Sequence, residues 1–319
     1  MAQQIARPSL GHPRVLDRAR ARPAVESYSP TRSDPWTALW FLLPSLLGLI
    51  LFLVVPLVAS LVLSFTNWQI IGQARFVGFS NYVNLTTRDP IFWQVVANTV
   101  LFTVEYLLLN IGIALGLAVW ISRLSWGKRF FRLAFFLPTF MPMVGIALVW
   151  QLMLTPRGLV DGVIALTGLG LPNVLAESTL ALQALVLLTL WSHVGYNLML
   201  FGAALESIPE SYLDAAAIDG ASGWQNFWLI KLPMISPSLF FGTVLTAITT
   251  LQAFDQVYAL TRGGPGSSTA TLGYAIYNQG FVTYKMGYAS ALAWILFALI
   301  MLLTIMQLRL QRRWVHYDQ

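Results

Sequence analysis

Cysteine is absent from this 319-residue chain. Disulfides and thiolate metal sites are thereby excluded, and the redox compartment cannot be read from thiols. Charge is scarce as well. Asp, Glu, Lys and Arg together make up 10% of the residues, against about 25% in a soluble domain. Histidine occurs only as His12, His193 and His316. There is no H-E-x-x-H string for a zinc site and no G-x-S-x-G string for a serine nucleophile. A G-x-x-x-x-G-K-[ST] phosphate loop is also missing. The run Gly263-Gly264-Pro265-Gly266-Ser267-Ser268-Thr269 is glycine-rich but lacks the lysine, and it reads as a tight turn into the last span. No catalytic residues, no metal ligands and no cofactor are therefore expected in this chain. The energy for any work it does has to come from elsewhere.

What the chain has is apolar length. Hydrophobic residues make up 57% of it, and a span needs about 20 of them to cross roughly 30 Å of hydrocarbon. Six stretches qualify, at about 37–65, 98–122, 133–154, 180–204, 237–260 and 288–308. The expected fold class is all-α: a six-span integral membrane protein embedded in a lipid bilayer. Residues 1–35 carry Arg and Pro without an apolar stretch, and are expected to form a disordered tail. Prolines fall inside the first span (Pro44, Pro56) and the third (Pro138, Pro142), where each removes a hydrogen bond and kinks the helix.

Lysine and arginine set the orientation. With the N-terminus inside, fourteen of the 19 basic residues fall on inner segments and five on outer loops. Both termini are therefore expected in the cytoplasm. The net charge of +6 is accounted for by this loop bias rather than by a nucleic-acid partner.

One inner segment breaks the basic bias. Residues 207–233, SIPESYLDAAAIDGASGWQNFWLIKLP, hold one lysine and several acids between two apolar runs. Ser207-Ile208-Pro209-Glu210 fits a capping box, with Pro209 in the first turn. A short helix is expected through Asp214, Ala215, Ala216, Ala217 and Ile218, with Gly220 ending it. Ser222 is placed to cap a second helix carrying Trp224, Phe227, Trp228 and Ile230, with Pro233 and Pro237 stopping it. The alanines allow another surface to approach closely, and the aspartates offer charge-assisted bonds to a basic partner. A solvated loop with an incidental alanine run is the plainer alternative.

Polar groups inside spans are costly and mark function or interhelical bonding. The fourth span holds Trp191, Ser192, His193, Tyr196 and Asn197, and the fifth Thr246, Thr249, Thr250, Gln252, Asp255 and Gln256. In one continuous helix Thr249, Gln252 and Gln256 share a face. Glu105, in the second span, is expected to pack or pair, and Asp255 to be solvated near an outer end.

The spacing Asp214-Ala215-Ala216, three residues, Gly220, nine residues, Ile230, one residue, Leu232-Pro233 resembles the cytoplasmic loop of permease subunits from binding-protein-dependent ABC importers. The flanking Ile218-Asp219-Gly220-Ala221 and Trp224-Gln225-Asn226-Phe227 resemble the carbohydrate-uptake branch, of the maltose and glycerol-3-phosphate type. Phe76 to Tyr82, Asn98-Thr99, Leu137-Pro138, Pro142, Trp150, Phe254-Asp255, Tyr258, Leu260-Thr261 and Gly263-Gly264-Pro265 follow the same family in order. The resemblance covers residues 36–317. Its one departure is Asp214, where the family usually carries Glu; the charge is kept and the reach is one methylene shorter.

The resemblance implies a multi-pass permease domain over 36–317 in a bacterial cytoplasmic (inner) membrane. It also implies a second permease subunit, usually a different chain, two subunits that bind ATP and Mg, and an external solute-binding protein that delivers a carbohydrate. Asp214, Ala215, Ala216, Ile218, Asp219 and Gly220 would form the coupling helix that docks on an ATPase. Substrate contacts carried over by position fall near His193, Tyr196, Asn197, Thr249, Gln252 and Gln256, in this subunit or in its partner. Glycerol-3-phosphate or a polyol is the alternative cargo. A membrane enzyme or scaffold is the alternative of another class, and neither would need an ATPase-docking helix.

Overall fold

The computed structural model describes residues 35–156, 158–165 and 173–315. The tail expected over 1–35 falls, but for Pro35, outside this set, as do His12, Arg157 and His316. Two compact units are present, residues 1–55 and 56–319. The described part of the first is α1 (Pro35–Leu49), with Pro44 inside it, followed by a π-helical turn at Ile50–Val54. The helical run continues as α2 (Val55–Ser64), and Leu39–Ser64 is long and apolar enough to cross a membrane.

In the second unit α3 (Ser80–Thr87) leads to α4 (Phe92–Arg123), a 32-residue helix. At 1.5 Å per residue it is about 48 Å long, so it overruns the stretch expected from hydropathy. Next come α5 (Lys128–Phe136), a 3-10 turn at Leu137–Phe140, α6 (Met143–Leu154) and α7 (Leu159–Ala165). Then follow α8 (Ser178–Glu206), α9 (Glu210–Ile218) and α10 (Gly223–Asn226), a π turn at Phe227–Lys231 and α11 (Leu232–Met234). The remainder is α12 (Ser236–Leu251), α13 (Asp255–Leu260), α14 (Leu272–Tyr277), a π turn at Asn278–Val282 and α15 (Met286–Trp314). Among the described residues no β-strand forms; a single bridge joins Thr66 and Phe76. Helix is what such apolar sequence must adopt, because lipid offers no partner for a free N–H or C=O.

Among the described residues four helical runs are long and apolar enough to span, and two bent pairs make six if each counts as one. The bent pairs are where the expected third and fifth spans lie. In the third, the chain turns by 97° between α5 with its 3-10 turn and α6. Met141 and Pro142 are extended there, with ψ of 140° and 124°. A residue before proline avoids the helical region, and proline has no N–H to continue the ladder. Pro142 therefore makes a corner rather than a kink, and Pro138 lies in the 3-10 turn that leads into it.

The fifth span departs further from expectation. The single helix expected over 237–260 ends at Leu251 and restarts at Asp255. Neither proline nor glycine marks the gap. Its cause is tertiary: the Thr271 hydroxyl donates to the Ala253 carbonyl at 2.7 Å, so a group freed from the helix ladder is satisfied by a distant loop. Pro233 does not stop the preceding segment either. The chain passes it through the π turn and α11, then bends by 66° into α12. The glycine-rich run turns into α14, not directly into the last span.

α8 is the centre of this unit. It packs against α4, α5, α6, α12 and α13, and its most apolar stretch is 67% buried, against 28% for α4 and 22% for α15. A side chain at Gly195 would collide with the Phe135 carbonyl and the Phe136 backbone. Glycine there lets the end of α5 lie backbone to backbone on α8. At the other end of the same contact, Arg132 forms an ion pair with Glu206. Glu105 is paired, as expected, accepting a hydrogen bond from Gln183 Nε2 at 2.9 Å.

Candidate functional site

The two breaks in the expected spans open onto one cavity. It has a volume of about 400 Å³ and is lined by Tyr106 of α4, Met143 at the start of α6, Thr189 and His193 of α8, Thr249 and Thr250 of α12, and residues 252–256 across the gap and the start of α13. Broken helices lining a polar hollow are the arrangement by which membrane proteins bind a polar solute away from lipid. Four of the six candidate substrate residues meet here: His193, Thr249, Gln252 and Gln256. Their convergence has a different origin from the one expected. Thr249 lies on α12, Gln252 just past its end and Gln256 on α13, so the gap, not a shared helical face, brings them together. Asp255, expected to be solvated near an outer end, is exposed into the same cavity.

The other two candidates lie elsewhere. Tyr196 is outside the cavity and 45% exposed. Asn197 is buried, and its Nδ2 donates to Asn110 Oδ1 at 2.5 Å and to Thr246 Oγ1 at 2.8 Å. Asn110 Nδ2 in turn donates to the Tyr106 hydroxyl at 3.1 Å. This chain of amides joins α4, α8 and α12 behind the cavity wall and reaches it at Tyr106. Sequence reasoning missed Tyr106, Thr189 and Phe254. A usable signal was present for the first: Tyr106 and Asn110 stand one helical turn apart in an otherwise apolar helix. Trp191 faces a separate apolar hollow with Trp150 and Pro142.

His193 sits beside Ser192, whose hydroxyl lies 2.9 Å from His193 Nδ1, 2.9 Å from the Leu188 carbonyl and 3.1 Å from that of Thr189. Among the described residues no group of three or more His, Asp or Glu is placed to hold a metal ion.

The acidic loop is a second surface of a different kind. α9 starts at Glu210, and the capping box expected from Ser207 does not form. The Ser207 hydroxyl donates back to the Ala204 carbonyl at 2.8 Å and finishes α8 instead. Pro209 precedes α9 in an extended conformation, and no side chain caps it. The far end is as expected. Gly220 takes φ +75°, and the N–H groups of Gly220 and Ala221 return to the carbonyls of Ala217 and Ala216. This double closure seals a helix end through one left-handed glycine. The second helix opens with the expected capping box between Ser222 and Gln225.

Ala216 is buried, while Asp214, Ala215, Ile218, Asp219 and Gly220 are exposed. Ile218 is 86% exposed. α9 is nonetheless anchored. Leu213 packs against the apolar cluster that holds Leu198 and Phe201 of α8, Leu239 of α12 and Ile208 just before α9.

Residues 110–316 match the family described as binding-protein-dependent transport system inner membrane component. Over 299 residues the chain is 31% identical to the probable ABC transporter permease protein YesP of Bacillus subtilis, covering 92% of this chain and 96% of that one. It is 33% identical over 283 residues to the multiple sugar-binding transport system permease protein MsmF of Streptococcus mutans, covering 87% and 95%. The sn-glycerol-3-phosphate transport system permease protein UgpA of Brucella suis is 33% identical over 283 residues, covering 88% and 96%. A solved bacterial ABC transporter involved in importing the acidic polysaccharide alginate shares the fold, with a TM-score of 0.78 at 22% identity over 87% of this chain and 96% of that one.

Proposed function

The chain belongs to the family of binding-protein-dependent transport system inner membrane components, and from that premise we propose that it carries a sugar or oligosaccharide through the inner membrane of a bacterium. It is a transport subunit of an ABC importer and not an enzyme. In this reading residues 36–317 are the permease domain, residues 1–35 a cytoplasmic tail, and both termini are cytoplasmic. A second permease subunit completes the pathway. An external binding protein delivers the cargo, and two ATP-binding subunits hold the ATP and Mg that drive it.

The observation that carries the reading is the mechanical link between the two surfaces. Ile208, just before α9, belongs to one apolar cluster with Leu198 and Phe201 of α8 and Leu239 of α12, and Leu213 of α9 packs against that cluster. Those same two helices supply His193, Thr189, Thr249 and Thr250 to the cavity. In the mechanism we propose, closing of the ATPases pushes Asp214, Ala215, Ile218, Asp219 and Gly220. The push is delivered to α8 and α12 together, and the cavity between them changes the side on which it opens. A carbohydrate suits the lining: hydroxyls and amides exchange hydrogen bonds with sugar hydroxyls, and Phe254 adds an apolar face.

The test is reconstitution of the whole importer in proteoliposomes. A ligand screen on the binding protein encoded with this chain supplies the sugar. ATP-dependent uptake of that sugar, requiring the binding protein, is expected. A complete complex whose ATP hydrolysis ignores the loaded binding protein would overturn the reading.

A further inference from the structure

The cavity's hydrogen-bond inventory is lopsided. Among its lining residues the only charged side chain is Asp255, and no Lys or Arg is present. The three threonines have already directed their hydrogens away from it. Thr189 donates to the Leu185 carbonyl at 2.8 Å, Thr249 to that of Leu245 at 2.9 Å and Thr250 to that of Thr246 at 2.6 Å. A hydroxyl has one hydrogen and two lone pairs, so each threonine offers a ligand acceptor capacity alone. Asp255, ionised, is likewise an acceptor.

Tyr106 is the counterweight. It is 4% exposed, and its oxygen takes the Asn110 amide hydrogen at 3.1 Å. That amide is oriented by Asn197, which donates to Asn110 Oδ1. The Tyr106 hydrogen has no acceptor among the described residues, and its ring lines the cavity. It joins the Gln252 and Gln256 amides as a donor.

We propose that this cavity accepts a neutral, hydroxyl-rich ligand and rejects an anionic one. Tyr106 is a ligand-contacting donor held by Asn110, and Asp255 is the wall that accepts sugar hydroxyls and repels negative charge. A sugar hydroxyl both donates and accepts, so it satisfies the threonines, Asp255 and Tyr106 together. A phosphate or carboxylate group only accepts. Placed where a sugar hydroxyl would stand, it leaves the acceptors facing it unmatched and sits near Asp255 with no cation to offset the desolvation. Shared ancestry with relatives named for a phosphate ester, and a shared fold with an importer of an acidic polysaccharide, therefore do not carry over to cargo charge.

This inference rests on the cavity being the translocation site, and the experiment separates the two. The chain has no cysteine, so Thr249→Cys introduces its single thiol. The complete importer, assembled with cysteine-free partner subunits, is labelled with a maleimide in the presence of maltotriose, raffinose, trigalacturonate or glycerol 3-phosphate. At least one neutral sugar is expected to slow labelling, and neither anion is. Tyr106→Phe keeps the ring and should weaken that protection about tenfold, the effect of losing one well-placed hydrogen bond; it also leaves the buried Asn110 amide without its acceptor, so the thermal midpoint of the complex should fall as well. Asp255→Asn should narrow the gap between sugar and anion. Protection by an anion equal to that by the sugars overturns the selectivity, and an unchanged Tyr106→Phe overturns the role of Tyr106. If no compound protects Thr249→Cys while the complex still imports sugar, the translocation reading itself has failed.

Discussion

The acidic loop and the cavity differ in how they are made. The loop is built from neighbours in sequence. Gly220 closes α9, Ser222 and Gln225 open α10, and the exposed Asp214, Ala215, Ile218, Asp219 and Gly220 fall within seven positions. The cavity is built from five helices and two interruptions, and its lining comes from residues 106 to 256. A surface of the first kind depends on local chemistry, so a single substitution can abolish it without disturbing the fold. A surface of the second kind depends on packing, and its polar residues serve stability and binding at once.

Substitutions can break that contrast in order of expected effect. Asp214→Lys reverses the charge of an exposed residue on α9. Stimulated ATP hydrolysis in the assembled complex should be lost, while membrane insertion and thermal midpoint stay as in the parent. Normal coupling would remove α9 from the docking role.

Thr249→Leu with Gln252→Leu strips two polar groups from the cavity. Uptake should fall at least tenfold with ATPase assembly intact; unaltered uptake kinetics would move the site to the partner subunit. Asn197→Leu addresses the buried network instead. It deprives Asn110 Oδ1 and Thr246 Oγ1 of the donor they share and should cost about 1–3 kcal/mol, read as a lower unfolding midpoint in detergent. A loss of uptake without loss of stability there would blur the line between binding wall and scaffold.

The smallest effect is expected from Gly220→Ala. A side chain at φ +75° costs about 1 kcal/mol, which should loosen α9 and raise its amide exchange without abolishing coupling.

The same contrast explains what could be read from residues alone. The apolar stretches, the closing Gly220 and the capping Ser222 rest on local rules; four of the stretches fall on single long helical runs, and the third and fifth are broken. Ser207 shows the limit of such rules. Its pattern matches a capping box, yet a longer helix immediately before it claims the hydroxyl for its own last turn. The break after Leu251 was invisible because its cause is Thr271, 18 residues away in sequence. His193, Thr249, Gln252 and Gln256 could be picked out as polar residues in apolar surroundings. Whether such a residue faces a hollow or another helix depends on the rotation of whole helices. Asn197, four residues from His193, turned toward Asn110 and Thr246 instead.

The contact at Gly195 has a consequence for the cavity wall. α5 is held on α8 at two points, the glycine contact and the ion pair of Arg132 with Glu206. These are eleven residues apart along α8, about 16 Å at helical rise. On α5 they are Arg132 and the Phe135–Phe136 backbone, so its second half is the part fastened to α8. The right-angle corner that follows it ends at Met143, on the rim of the cavity. Fastened to α8 there, α5 ties the corner and Met143 to the placement of α8, so the position of that stretch of the cavity wall is set by the central helix.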